Sequence, residues 1–218
     1  MRLLKSFMPR TKPYHHENLR ETLLEAAVAL VGEVGPRAFT LREVSRRAGV
    51  SHNAPYRHFA SKDELLLAVA SEGFERLAAT MHRSLAKGQT ATERLHLCGC
   101  GYVEFALRWP HHFLVMFDLP KEVHKACAHE PVGMNAFGVL LSSIQAAQGA
   151  GELPAGDPMP QALTAWSLVH GIAKLGVSGN LPMGRAETLE FTQKAAEVLS
   201  RGMRGAGPPT EQGAGPVF

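Results

Sequence analysis

Features that mark secreted, membrane-spanning and disulfide-linked proteins are scarce in this sequence. It has three cysteines among 218 residues, too few for a disulfide framework, which favours a reducing compartment. The longest apolar runs, such as residues 65–70, are far shorter than the ~20 residues of a membrane span. The N-terminus is basic and has no apolar core before Pro9, so it does not predict a secretory signal. We therefore expect a cytoplasmic protein that does not enter a membrane.

The alternation of apolar and polar residues that is typical of β-strands is also missing. Apolar residues recur instead every three or four positions, which is the spacing of amphipathic helices. Helices are predicted over residues 17–34, 65–86, 93–109, 111–119, 131–148, 158–177 and 185–203. The polar residues 121–130 are expected to be partly irregular. The fold class is therefore predicted to be all-α.

Charge is small overall but unevenly distributed. The net charge is +3, yet residues 1–62 hold eleven Lys and Arg against five Asp and Glu, whereas residues 63–218 hold twelve against fifteen. A basic beginning and a mildly acidic remainder suit contact with nucleic acid by the first part only. The alternative is an ordinary solvated charged surface.

Signals that start and end helices cluster in the N-terminal third. Thr40 and Glu43 stand three apart, the spacing of a capping box, and Gly49 can adopt the positive φ that ends a short helix. Ser51 can cap a second helix over residues 52–59. Two short helices joined by a turn that contains glycine predict a helix-turn-helix, whose second helix enters the major groove of DNA.

Together with the helix before it, this stretch resembles the TetR/AcrR family of bacterial transcriptional regulators. The residues that carry the match are Ala26, Ala27, Leu30, Gly35, Thr40, Val44, Ala48, Gly49, Val50, Ser51, Tyr56, His58, Phe59, Lys62, Glu64 and Leu65. A weaker match, in Trp166, His170 and Gly171, resembles the Trp-His-Gly signature of one C-terminal ligand-domain type in that family.

Four segments are expected along the chain. Residues 1–16 are basic and interrupted by prolines, and they are expected to form a flexible arm. The resemblance implies that residues 17–65 form a three-helix bundle with the helix-turn-helix. It also implies that residues 66–204 form a larger α-helical domain for ligand binding and dimerisation. The Gly/Pro-rich residues 205–218 are expected to be disordered.

The second helix of the motif is expected to present its outer face to DNA. His52, Asn53, Pro55 and Arg57 are the outward candidates. Asn53 could pair with an adenine edge, and Arg57 with a guanine or a phosphate. Pro55 lacks an amide and biases the residue before it away from helical angles. The helix could therefore begin later, with Asn53 or Ala54 as its cap, which leaves the direction of His52 and Asn53 open.

Contacts with the DNA backbone are implied by the resemblance. Tyr56 and Lys62 match positions that usually hold the backbone, and Thr40 often does so while it caps its helix. The hydroxyl of Ser51 can donate to a phosphate or accept from its own helix, and both possibilities stay open. The expected partner is a double-stranded DNA operator.

A single helix-turn-helix makes few contacts, so the resemblance implies a homodimer that reads two half-sites. The last two predicted helices are the expected interface, because apolar residues surround the first of them. The interface residues are expected to be Leu168, Ile172, Leu175, Phe191, Ala195, Val198 and Leu199. Gly171 and Gly176 would let a partner helix come close. The alternative is that all of them belong to the core of one chain.

The middle helices are expected to enclose an apolar pocket for an unknown small-molecule effector. Its candidate walls are Tyr102, Phe105, Trp109, Phe113, Phe117, Phe137 and Trp166, with His170 as a polar group inside. Residues of these types are more often plain core than ligand contacts, and that alternative stays open for each of them.

A metal-sensing regulator is the alternative function. His111, His112, His124, Cys127 and His129 could meet a zinc or copper ion. The stretch lacks paired Cys-x-x-Cys spacing, however, and no metal or other cofactor is predicted.

An enzyme is not expected, because the Ser-x-x-Lys match at Ser84 and Lys87 is of a kind that arises by chance. The sequence predicts a homodimeric, sequence-specific DNA-binding transcriptional regulator, a repressor that a small molecule releases from its operator.

Overall fold

The structure, a computed structural model, describes residues 19–118 and 131–205. These residues form eight α-helices and one 3₁₀ turn. The helices are α1 Leu19–Val34, α2 Leu41–Ala48, α3 Lys62–Leu85, α4 Ala91–Arg108, α5 Pro110–Asp118, α6 Pro131–Gly149, α7 Pro158–Val177 and α8 Arg185–Gly205, and the 3₁₀ turn is Pro55–Arg57. The all-α class is therefore confirmed. The basic arm at residues 1–16, the irregular segment at 121–130 and all but the first residue of the tail lie outside the described residues.

The N-terminal helices pack around a small apolar core. Leu23 of α1, Val44 of α2 and Leu65 of α3 are fully buried in it. The capping box at Thr40 is present, because the amide of Glu43 donates to Thr40 Oγ1 (3.3 Å) and the amide of Thr40 donates to Glu43 Oε2 (2.7 Å). Gly49 ends α2 with φ at 69°, a conformation that favours glycine.

The second helix of the motif is much shorter than predicted. It is the single turn Pro55–Arg57, preceded by Ala54 without a side-chain cap. The helix expected over residues 52–59 is therefore wrong, whereas the later start with Ala54 at the cap position is confirmed. The side chain of Ser51 caps no helix there; only its carbonyl accepts, from the amide of Ala54 (2.9 Å). The physical reason is Pro55, which has no N–H to close the first turn of a helix that starts at residue 52.

Helix α3 connects the two halves of the molecule. Its 24 residues span about 36 Å. The hydroxyl of Ser61 accepts from the amide of Glu64 (3.1 Å), the cap that their spacing predicts. Leu65 and Leu66 at its start are buried in the N-terminal core, whereas Leu77 and Met81 are buried among the later helices. One rigid helix therefore belongs to both halves.

Helix α4 lies at the centre of the C-terminal half and packs against α3, α6, α7 and α8. Glycine allows the closest of these approaches. A Cβ at Gly101 would lie 2.9 Å from the Cα of Met81, so α3 and α4 touch backbone to backbone. Within the described ranges, no helix combines the length and the hydrophobicity that crossing a bilayer requires.

Candidate nucleic-acid interface and ligand cavity

The surface around the 3₁₀ turn is exposed and carries mixed polar and basic side chains. Ser51, His52, Asn53, Tyr56 and Arg57 are all exposed. Tyr56 is 58% exposed, which is unusual for a large aromatic side chain. These residues therefore form one open face, on which contact with DNA stays a prediction.

Two exposed basic residues on α2 were missed from the sequence as candidates for contact with DNA. Arg42 and Arg46 are exposed and four residues apart, the spacing that puts them on one side of a helix. That spacing was available as a signal. Arg47 is exposed too, but its guanidinium pairs with Glu33 (2.7 Å).

Pro55 does not belong to the outer face, and its expected outward position is wrong. It is buried, as is Ala54 before it, because the turn directs these two residues at the N-terminal core. Phe59, two residues after the turn, is buried in the same core. Pro55 therefore helps to set the direction of the neighbouring side chains and is not itself available to contact a DNA base.

Lys62 has partners inside the protein. Its Nζ donates to the carbonyl oxygen of Arg37 (2.9 Å) and lies 4.5 Å from the ring centroid of Phe39, which is a cation–π geometry. Partial burial lowers the pKa of Lys62, against the charges of Asp63 and Glu43. Lys62 thus ties the α1–α2 loop to the start of α3, and its DNA contact stays a prediction.

A cavity of about 550 Å³ opens between the helices of the C-terminal half. Its apolar lining residues include Phe74, Leu77, Met81, Leu95, Cys98, Tyr102, Phe117, Ala136, Phe137, Leu140, Leu141, Met159, Ala165, Trp166, Leu168, Val169, Ala196, Leu199 and Met203. The volume falls within the range of small-molecule sites, which are typically about 300–1,000 Å³.

Half of the predicted pocket residues line this cavity. They are Tyr102, Phe117, Phe137 and Trp166, and their contact with a ligand stays a prediction. The other four do not line it, which corrects the expected walls. Phe105 and Phe113 are fully buried core residues. The ring centroid of Trp109 lies instead near the guanidinium groups of Arg76 (5.6 Å) and Arg108 (4.7 Å).

His170 is held behind the wall. The hydroxyl of Tyr102 lies 2.8 Å from Nδ1 of His170, and Tyr102 also hydrogen-bonds the side chain of Trp166. Burial raises the pKa of Tyr102 and, followed by the charge of Lys174, lowers the pKa of His170. Both pKa shifts agree with a neutral His170 imidazole whose Nδ1 accepts a hydrogen bond from the protonated Tyr102 hydroxyl.

A second polar pair, which sequence reasoning missed, lies in the lining. His96 Nε2 is 2.9 Å from the Oγ of Ser200, and the Ser200 hydroxyl donates to the carbonyl of Glu197 (3.1 Å). Burial lowers the pKa of His96, so this pair is polar but uncharged. These residues are 104 positions apart, and no local pattern connects them.

The thiol of Cys98 also lines the cavity. Burial raises its pKa to about 12, although a hydrogen bond with Ser143 acts in the opposite direction. A neutral thiol behaves as a small apolar group, so Cys98 adds no charge to the site.

Helix α5 reaches from this cavity to the N-terminal half. Phe117 near its end lines the cavity, and the ring of His111 near its start packs on Gly32 of α1. His112 Nε2 lies 3.8 Å from Glu72 on α3. Burial lowers the pKa of His112 more than the charge of Glu72 raises it.

The expected interface residues have three different environments. Leu175 (45%), Phe191 (38%) and Val198 (65%) are exposed, as is Leu163 (45%). Leu168 and Leu199 line the cavity instead, whereas Ile172 is buried and Ala195 is partly buried.

The expected close approach of a partner at Gly176 is also wrong, because a Cβ there would lie 3.0 Å from Leu107 of the same chain. Leu107 of α4 therefore already occupies the space beside Gly176 that a partner helix would need. Gly171, by contrast, has open space around it.

The metal alternative gains no support from the geometry. Among the described residues there is no group of three His, Cys, Asp or Glu side chains that could hold an ion. His111 and His112 are described and serve in packing, whereas His124, Cys127 and His129 lie outside the described residues.

Two segments of the chain match a known family. Residues 23–69 match the family described as bacterial regulatory proteins, tetR family. Residues 95–199 match the tetracyclin repressor-like C-terminal domain. The finer assignment to the Trp-His-Gly type is not confirmed and stays a prediction.

Relatives and solved structures agree with these matches. The HTH-type transcriptional repressor Rv3405c of Mycobacterium tuberculosis is 34% identical over 73 residues, which are 34% of this chain and 39% of that protein. A protein of unknown function from Rhodococcus sp. RHA1 has a TM-score of 0.71 at 30% identity, covering 89% of this chain and 100% of its own. The transcriptional regulator FadR from Bacillus subtilis, in complex with stearoyl-CoA, has a TM-score of 0.72 at 16% identity, covering 84% and 98%.

Proposed function

The chain belongs to the tetR family of bacterial regulatory proteins, and from this premise we propose that it is a homodimeric, sequence-specific DNA-binding transcriptional repressor. A small, mainly apolar molecule binds in the 550 Å³ cavity and releases the protein from its operator. The observation that carries this proposal is α3, whose start lies in the helix-turn-helix core and whose second half lines the cavity.

Operator binding is supported by the open face at the 3₁₀ turn. Tyr56 and Arg57 stand exposed on it, while Arg42 and Arg46 add positive charge nearby on α2. Phosphate contacts supply most of the affinity of such proteins, and base-edge contacts supply their specificity. The preference for the operator over random DNA therefore depends on the few side chains at the turn.

Effector binding is supported by the lining of the cavity. Apolar side chains cover most of the wall. Its polar groups belong to two hydrogen-bonded pairs, Tyr102–His170 and His96–Ser200. His170 itself does not line the cavity. Such a site suits a molecule with an extended apolar part. The stearoyl-CoA in the FadR structure is a molecule of that chemistry, bound by a protein with the same fold.

Release follows if the effector favours a different position of the two DNA-binding units. The cavity wall includes Phe74 and Leu77 of α3 and Phe117 of α5, and both helices contact the N-terminal bundle. A molecule that pushes these helices apart shifts the population away from the operator-competent form. Such coupling is typically about 1–3 kcal/mol.

Dimerisation is supported by the exposed apolar side chains on the last two helices. Leu163 and Leu175 on α7 and Phe191 and Val198 on α8 are large apolar side chains left exposed in the single chain, and a partner copy would cover them. Two copies of α7 and α8 would form a four-helix bundle across a two-fold axis. We place the protein in the cytoplasm, where its operator would be.

The experiment is genome-wide footprinting with the purified full chain, followed by gel shifts on the fragments it protects. We expect discrete sites with two half-sites each, and dissociation when a long-chain apolar molecule is added. A protein that protects no sequence above background at low ionic strength would contradict the proposal. Protection that no apolar molecule relieves would leave the DNA binding in place and refute the effector cavity.

A further inference from the structure

A second cavity, of about 460 Å³, lies beside the apolar one and has a different chemistry. His82 of α3, Arg94 of α4 and Ser142 and Ser143 of α6 contribute polar groups to its lining. The proposed function makes no use of it. Its neighbours along the same helices, Met81 and Leu95, line the apolar cavity, so the two cavities run side by side along α3 and α4.

Gly138 is the residue that the two linings share. A Cβ added at Gly138 would meet no atom within 4 Å. The backbone of α6 therefore borders open space at the point where the cavities meet. Ser143 in the lining of the polar cavity lies close enough to Cys98 in the lining of the apolar cavity to act on the pKa of its thiol, so the two linings are adjacent there.

Arg94 gives the polar cavity a positive charge, and His82 adds a polar ring. Arg94 and His82 are exposed, and neither takes part in an ion pair within the described part of the chain. The Nε of Arg94 donates to the carbonyl of Gly88 (3.1 Å). This bond holds the stem of the side chain and leaves the terminal nitrogens for a planar anion such as a carboxylate or phosphate.

Two acidic residues at this end of α4, Glu93 and Glu152, are already engaged. The carboxylate of Glu93 accepts from the amide of Gln89 (2.7 Å). The carboxylate of Glu152 accepts from the amides of Ala91 (3.3 Å) and Thr92 (2.6 Å), where the positive end of the α4 dipole offsets its charge. The charge of Arg94 is therefore not cancelled by a direct carboxylate partner.

We propose that the effector is an amphiphile whose apolar chain fills the first cavity and whose anionic head, a carboxylate or a phosphate, binds Arg94 and His82 in the second. The chain passes from one cavity to the other beside Gly138. This inference rests on the proposed function, because it assigns the chemical class of the effector for the same cavity and adds a second binding site to it.

The test compares three probes with one chain length, namely dodecanol, dodecanoate and dodecanoyl-CoA, by calorimetric titration of the full-length protein. The wild type should bind at least one of the two anions about tenfold or more tightly than dodecanol, since hydrogen bonds to charged groups are the strong ones. A preference for dodecanoate would identify a carboxylate head, and a preference for dodecanoyl-CoA a phosphate head.

Arg94→Gln should remove this preference and leave the affinity for dodecanol unchanged. Arg83→Gln is the matched control, because Arg83 is an exposed arginine next to His82 that does not line either cavity. Equal binding of dodecanol and both anions by the wild type, or an anion preference that survives Arg94→Gln, would overturn the head site.

A second variant tests the passage itself. Gly138→Leu places a side chain in the open space between the cavities while improving helix propensity, so melting should show an intact fold. It should weaken binding of the preferred anion about tenfold or more, and unchanged binding would overturn the passage.

The two proposals fail in different ways. Release of the operator by dodecanol and both anions alike, with and without Arg94→Gln, would leave the apolar effector cavity standing and refute the anionic head. If no probe binds at all, both the head site and the apolar effector are refuted.

Discussion

The imidazole of His111 packs directly on the Cα of Gly32, so that a methyl group at residue 32 would lie 2.2 Å from His111 Cε1. This contact joins α5, which lines the cavity at its other end, to α1 of the DNA-binding half. Interfaces packed this closely have discrete arrangements and do not deform smoothly. The contact is therefore a natural element through which an effector could act on operator affinity.

Gly32→Ala should force this contact apart. We expect a loss of about 1 kcal/mol of stability, the low end of overpacking costs, because the His111 ring can rotate away. Operator affinity in the absence of effector should fall as well, since α5 and α1 are displaced relative to each other. Urea unfolding and gel shifts measure the two effects.

The control for this prediction is a double-mutant cycle with His111→Ala. Removing the ring makes room for the methyl group, so Gly32→Ala in that background should cost almost nothing. Equal costs in both backgrounds would show that the two residues do not interact.

Tyr102→Phe removes a hydroxyl that serves two partners. His170 loses a donor and the side chain of Trp166 loses its hydrogen-bond partner, so about 1–3 kcal/mol of unfolding free energy should be lost. The fluorescence of Trp166, one of two tryptophans, should shift as well. Tyr56→Phe, which alters an exposed hydroxyl, is the matched control and should leave stability unchanged.

Stability should fall as the pH is lowered through the histidine range. Burial lowers the pKa values of His96, His112 and His170 below the ordinary value of 6.5. Below that value the unfolded chain binds more protons than the folded one, so the free energy of unfolding decreases with falling pH until the folded pKa values are reached. At pH values above 6.5 these histidines are neutral in both the folded and the unfolded state, so they contribute no pH dependence to the stability.

Urea unfolding at about pH 7.5 and about pH 5.5 measures this effect. The interval lies above the range of the carboxylates Glu43 and Glu152, whose pKa values are lowered from 4.5. A variant with His96→Gln and His170→Gln should show a flatter dependence. A stability that rises as the pH falls would contradict the prediction.

Two neighbouring residues of the 3₁₀ turn should have separable effects on DNA binding. Tyr56→Ala should weaken binding to operator and random DNA alike, because a backbone contact carries no sequence information. Arg57→Ala should lower the preference for the operator by about 1–3 kcal/mol at one base pair. Gel shifts with both DNAs measure this, and Arg83→Ala, which alters an exposed arginine of α3, should change neither.

A charge in the proposed dimer interface should separate the two copies. Val198 is 65% exposed in the single chain, so Val198→Glu should leave the chain folded. At a two-fold interface it would bury unpaired carboxylates at about 3–5 kcal/mol. Sedimentation should then show a monomer, while Gln193→Glu, on another side of α8, should remain dimeric. A dimeric Val198→Glu protein would move the interface elsewhere.

Helix positions were predictable because their signals are local. The Thr40 and Ser61 caps and the prolines at the first positions of α5 and α7 act within one turn of chain, and the structure confirms the helices they start. The second helix of the motif was the exception, and there too the cause was local. Pro55 has no backbone N–H to donate within the longer helix that the family resemblance favoured. The helix propensity of its neighbours cannot replace that missing hydrogen bond.

The faces of the later helices were not predictable in the same way. The sequence predicted three apolar interface positions on α7, namely Leu168, Ile172 and Leu175. In the structure Leu168 lines a cavity, Ile172 is buried in the core and Leu175 is exposed. Apolar residues on every side of a helix show that it is covered, but not which neighbour covers which side. The same limit put Phe105 and Phe113 into the predicted pocket.

The linear order of residues was thus enough to specify an all-helical chain with a basic helix-turn-helix at its start, because helix signals and charge are properties of short segments. Only the tertiary structure decided which side chains surround empty space, which are core and which remain exposed. Those outcomes depend on packing between residues such as His96 and Ser200, which lie 104 positions apart and meet only when α4 and α8 come together.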